Sequence, residues 1–185
     1  MLRWEEGLDA VRDTRRRPQI STSVIVRAMA VMFLSRLGSL NALEQSRPSR
    51  FWPRWLGAPV PSADTIGRVC ALVDAEDLRS LHHDLYSRLK RMKALPPPAH
   101  GLTIENQGFN ELVNRGYANP VYKHQAHAML NFWLMAVLCL NLFLAFYRRD
   151  LTPAARQAAS MLQIARQIAA ELFGAFPAGP ARAPM

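Results

Sequence analysis

Only two cysteines, Cys70 and Cys139, occur in the 185 residues. They lie far apart and match no paired spacing, which excludes a disulfide-stapled secreted scaffold and a cysteine zinc site. Glycines number nine, and none sits in a nucleotide-binding loop. No stretch alternates apolar and polar residues for long enough to predict a strand, and no segment repeats. The opening Met1-Leu2-Arg3-Trp4-Glu5-Glu6 lacks an apolar signal core, so a cytoplasmic protein with reduced thiols is expected. Acidic residues are also few, 14 against 23 Lys and Arg, for a formal net charge of +9. This excess suggests a polyanionic partner, either nucleic acid or an anionic membrane surface.

Half of the residues are hydrophobic, enough to bury a core and to exclude a wholly disordered chain. The pattern predicts a mainly α, bundle-like fold. Residues 1–19 read as a basic N-terminal arm ending in Arg15-Arg16-Arg17-Pro18. Ser21-Thr22-Ser23 offers N-caps to an apolar run beginning at Val24-Ile25-Val26, and continued spacing at Leu37, Leu40 and Leu43 predicts one helix to about Glu44. Residues 46–61, with four prolines among Phe51, Trp52 and Trp55, predict an irregular connection. Arg47, Arg50 and Arg54 interleave with those rings. They fit phosphate contacts with aromatic support, or a solvated loop over core tryptophans. Ser62 caps a short helix. Asp74 caps a longer one carrying Leu78, Leu81, Leu85, Leu89 and Met92, with Arg88, Lys90, Arg91 and Lys93 at its C-terminal end. The pair has the outline of a helix-turn-helix.

Pro96-Pro97-Pro98 stops any helix and marks a junction over 95–103, between a DNA-binding-like helical region at 20–94 and a second helical region at 104–173. Ala128 to Tyr147 carries no charge and is long enough to span a bilayer; a buried central helix reads the same way. Its apolar surface is expected to be covered by Val24–Leu34 and a terminal helix at Met161–Leu172, supplemented by a second copy of the chain. Thr152 and Pro153 supply a cap and a first-turn proline for that terminal helix. The tail, 174–185, is expected to be disordered. His82-His83-Asp84 and His124/His127 have metal-ligand chemistry but no third ligand at a recognisable spacing, so no metal is assigned to them.

Ile104-Glu105-Asn106-Gln107-Gly108-Phe109-Asn110-Glu111-Leu112 resembles the third-carboxylate motif of DDE transposases encoded by bacterial insertion sequences. The similarity continues through Val121-Tyr122-Lys123-His124, the apolar helix, and Phe146-Tyr147-Arg148-Arg149. Upstream, Arg16-Arg17-Pro18-Gln19-Ile20, Gly38-Ser39-Leu40-Asn41-Ala42-Leu43-Glu44, Pro61-Ser62-Ala63-Asp64-Thr65 and Tyr86-Ser87-Arg88-Leu89-Lys90-Arg91 resemble the N-terminal helical region of the same family. The resemblance implies that Glu105 is what remains of an Asp-Asp-Glu metal site, and that 104–173 is what remains of the catalytic domain. The basic clusters of residues 1–94 predict DNA contacts at Arg15, Arg16, Arg17, Arg47, Arg50, Arg54, Arg68, Arg88, Lys90, Arg91 and Lys93.

The family's long RNase H-like core, with both catalytic aspartates, has no counterpart here: His100-Gly101-Leu102 runs almost directly into Ile104-Glu105. The family's lysine seven positions after the Glu is replaced by Leu112. Asp9, Asp13, Asp64, Asp74, Asp77, Asp84 and Asp150 fall in helical or cap contexts. The intact family uses Mg²⁺; one Glu cannot hold a metal pair, so no cofactor is expected for this chain. The expectation is an internally deleted transposase that binds DNA without autonomous catalysis. The alternatives are a small DNA-binding or dimerising regulator of a full-length transposase, and a single-span membrane protein.

Overall fold

The structure is a computed structural model that describes residues 4–92 and 125–174, and every regular element among them is an α-helix. The all-α expectation is met: no strand occurs among the described residues, only an isolated antiparallel bridge between Asp13 and Val73.

Helix α1 spans Trp4–Asp9 and α2 spans Thr22–Leu34. The Ser21 hydroxyl accepts from the Val24 amide at 3.3 Å and opens α2 as the sequence predicts. The single helix expected to reach Glu44 is broken, however. The Leu37 amide donates to the Met32 carbonyl at 2.9 Å and the Arg36 amide to Phe33 at 3.2 Å. This is a Schellman stop, with Arg36 in the left-handed region at φ 54° where glycine is usual. Ser39 then caps a new helix, α3, over Leu40–Gln45, accepting from the Ala42 amide at 3.0 Å.

The 46–61 connection also departs from expectation, because it contains α4 (Phe51–Leu56). Pro53 lies in the first turn, where no intrahelical donor is required, so it does not break the helix. Gly57, at φ 67°, ends it. Helix α5 (Ala63–Cys70) and α6 (Ala75–Arg91) form where predicted, capped by Ser62 and Asp74. Leu78, Leu81, Leu85 and Leu89 are all buried along α6.

Helix α7 runs from Ala126 to Arg149. The expected terminal helix is two helices. Thr152 caps only α8 (Pro153–Ala158), Ala159 is extended, and a Ser160–Gln163 capping box starts α9 (Met161–Phe173).

Helix α7 is the central element. It packs mainly on α2 and α6, then on α5. The α2 contact was expected; α6 and α5 are additional cover. The last helix joins through a smaller cluster of Phe143, Ile164 and Ala165. One core therefore unites residues on both sides of the proline junction, including Met29, Ile66, Leu85 and Met135. Asn131 is fully buried, and its amide donates to the carbonyls of Cys70 at 2.8 Å and Val73 at 2.9 Å. Those carbonyls lie where α5 ends, so this polar side chain ties α7 to the α5–α6 turn. Both cysteines are free and buried. Burial pushes the Cys70 thiol up to about 12 and the Cys139 thiol higher still, which makes both unreactive packing residues.

Candidate nucleic-acid interface

The segment between α1 and α2 is fastened to the body of the protein. The Asp74 amide donates to the Arg12 carbonyl at 2.9 Å and the Thr14 amide to Leu72 at 3.1 Å. The Arg12 guanidinium grips Asp77 through two hydrogen bonds, at 2.9 and 2.8 Å. The described part of the arm expected at 1–19, residues 4–19, is therefore a short helix followed by a pinned loop, held against the turn between α5 and α6.

This placement brings the loop beside α5. A trough of about 540 Å³ is lined by the exposed Arg16, Arg17 and Arg68 and by the half-buried Arg15, together with Ile20, Val69 and Leu72. The pairing of the loop with Arg68 depends on contacts about 60 residues apart in the chain, Thr14 with Leu72 and Arg12 with Asp74, and no local pattern announces it. Arg15 differs from its neighbours. Its guanidinium is bound to Asp13 at 2.6 Å and its side chain is only 20% exposed.

The other predicted contacts are scattered. Arg47 bonds Glu44 at 3.2 Å and the Val60 carbonyl at 3.1 Å. Arg50 and Arg54 are exposed along a second groove of about 760 Å³, shared with Glu171 and the end of α9. The rings between them are occupied by one another. Phe51 stacks on Trp55 at 6.0 Å and meets Phe173 edge-on at 5.6 Å, while Trp55 also receives Trp4 and the Arg27 guanidinium. The aromatics of this segment thus pack on one another and on the core, and the half-buried Phe51 and Trp55 also line the groove beside the exposed Arg50 and Arg54. Arg88 is half-buried in a small cavity with Glu6 and Asp84; Lys90 and Arg91 are exposed. Lys93, His124 and Glu105 lie outside the described residues.

The helix-turn-helix outline exists as α5 and α6, but the first turn of α6 carries Glu76 and Asp77. That is the turn which meets base edges in such motifs, and its charge is the wrong sign for DNA. The basic trough lies on the α5 side instead. His82 is half-buried with Nε2 2.6 Å from the Leu134 carbonyl; burial lowers its pKa, and the carbonyl only partly offsets this. His83, Asp84 and His127 are exposed. No group of three or more metal-ligating side chains occurs among the described residues.

Three carboxylates are held below their ordinary range. Burial raises the pKa of Asp9 and Asp13, but hydrogen bonds from Arg27 and Ser23, and from Arg15 and Thr22, outweigh it. In Asp77 the Arg12 hydrogen bond dominates. A depressed folded pKa contributes stability that is present above the unfolded value and lost as pH falls through the folded one. Urea midpoints are therefore expected to stay flat from neutrality down to about pH 4, the unfolded carboxylate range, and to fall below it. Asp13→Asn should flatten part of that acid limb.

Comparison with family models, curated proteins and solved structures gives no match.

Proposed function

We propose that this chain is a DNA-binding remnant of a bacterial insertion-sequence transposase that neither cuts nor joins DNA by itself. The observation that carries the DNA reading is the trough where Arg16, Arg17 and Arg68 converge. Guanidinium groups suit phosphate oxygens through charge and paired donors. Transposase ancestry rests on the two stretches of resemblance, in the family's order. A non-cutting binder of this kind regulates an intact relative by occupying the same DNA. The cytoplasm is its compartment, and a second copy or the full-length transposase is its protein partner.

The described residues do not fit the Mg²⁺ pair of the intact family. Asp9, Asp13 and Asp77 each spend their oxygens on an arginine. Glu105 alone supplies one carboxylate where the two-metal mechanism needs several. A soluble bundle is supported over a membrane span by α7 itself: half of its most apolar window is buried within the protein, against other helices.

Gel retardation of random-sequence duplex DNA, with Mg²⁺ or Mn²⁺ present, tests the reading. Retardation at about 50 mM salt that collapses toward 200 mM, with no nicking or joining, is the expected result. No retardation at low salt overturns DNA binding. Metal-dependent cleavage abolished by Glu105→Gln overturns the catalytic silence.

A further inference from the structure

Arg15 sits next to two exposed arginines yet turns inward. Its Nη2 donates to the Asp13 carboxylate at 2.6 Å and to the Ile20 carbonyl at 3.0 Å. Its Nε donates to the same carboxylate at 2.9 Å and its amide to the other oxygen at 2.8 Å. The Thr22 hydroxyl donates at 2.6 Å to the same Asp13 oxygen that the guanidinium binds. The Asp13 side chain is 2% exposed. One guanidinium thus joins the residues that precede and follow the tip 16–19, and the backbone bonds of Arg12 and Thr14 fix that closure to the α5–α6 turn.

We propose that Asp13 and Arg15 are positioning residues for DNA, closing the loop so that Arg16 and Arg17 stand beside Arg68 on one phosphate-binding edge, with Arg15 itself making no phosphate contact. This rests on the DNA reading above. A loop closed in advance leaves less chain to order on binding, so affinity depends on the clamp as well as on the charges it presents.

The competing role for Arg15 is direct contact, and the two roles differ in sign. Asp13→Asn removes a negative charge and releases Arg15, so direct contact tightens binding and steepens its salt dependence. Positioning weakens it, by roughly fivefold or more, with the salt slope unchanged. Arg16→Ala is the reference for a true contact, lowering the slope by about one. Arg15→Lys keeps the charge but loses the planar fork. Positioning predicts the same loss of affinity in that variant, whereas direct contact predicts near-normal binding.

Circular dichroism at the assay temperature monitors the fold, and Arg15→Lys keeps the test decisive where Asp13→Asn does not fold. Tighter binding by Asp13→Asn, or wild-type binding by Arg15→Lys, overturns the proposal. Absence of retardation by the unmodified protein is visible in its own lane and removes the DNA reading first, and the proposal with it.

Discussion

Trp52→Ala lowers the thermal midpoint of this protein by about 6–20 °C, since truncating a buried tryptophan costs about 3–5 kcal/mol and each kcal/mol shifts a domain of this size by about 2–4 °C. Trp52 is completely buried. Its ring centroid is 5.1 Å from Phe51 and 5.5 Å from Phe173, so it joins α4 to the last helix. Its Nε1 donates to both the carbonyl and the hydroxyl of Ser46, at 3.0 and 2.9 Å. Alanine removes the ring, opens a cavity and leaves the Ser46 carbonyl with only the Ser49 amide as donor. Trp52→Phe separates these terms. It keeps most of the packing and loses the hydrogen bond, for a cost of about 1–3 kcal/mol. Differential scanning calorimetry on the three proteins reads the order directly. A midpoint for Trp52→Ala within a few degrees of wild type would remove Trp52 from its place as the anchor between α4 and α9.

The same residue shows what a sequence discloses about a fold and what it conceals. Its neighbourhood of prolines and arginines reads as an irregular loop, because four prolines crowd into residues 46–61. The helix survives since Pro53 falls within the first turn, a positional accident of one or two residues. Where the signals are local and unopposed, the reading succeeds. Ser62 and Asp74 cap their helices, and the leucine period of α6 finds the buried face. It fails where a stop has no chemical marker. Arg36 takes the left-handed position that glycine usually fills, and the apolar period runs on through Leu37, Leu40 and Leu43 as though the helix continued. The second break was marked. Ser160 with Gln163 is a capping box in plain sight, eclipsed by the stronger Thr152-Pro153 signal upstream.

For the candidate interface the division follows sequence separation. The excess of arginine is plain in the composition, but which arginines remain outward is a tertiary property. Arg15 and Arg47 bond nearby carboxylates and carbonyls. Arg16 and Arg17 stay exposed, and meet Arg68 only because the bridge at Asp13 and Val73 brings the loop to α5. A bridge of two residues has no periodicity to recognise. The burial of Asn131 is of the same kind: an asparagine in an apolar run is a conspicuous residue, but its two carbonyl partners lie at the end of α5 and in the turn after it.

Those placements yield the largest functional effect expected here. The Arg16→Ala, Arg17→Ala, Arg68→Ala triple variant should lose between two and three units of salt slope, because each phosphate neutralised by a cation contributes about 0.9. Between 50 and 200 mM salt that amounts to about a fortyfold smaller change in affinity than the wild type shows. Arg27, Arg47 and Arg79 provide the control, since they remove the same formal charge from sites already paired with carboxylates outside the loop. If binding follows net charge alone, the two triple alanine variants weaken alike and keep parallel salt plots. If it follows the trough, the Arg16, Arg17, Arg68 variant flattens its plot while the control keeps the wild-type slope. Fluorescence anisotropy titrations across a salt series measure both slopes. Equal slopes in the two variants would move the interface away from the trough, and Arg50 with Arg54, on the groove beside Glu171, would be the next exposed pair to examine.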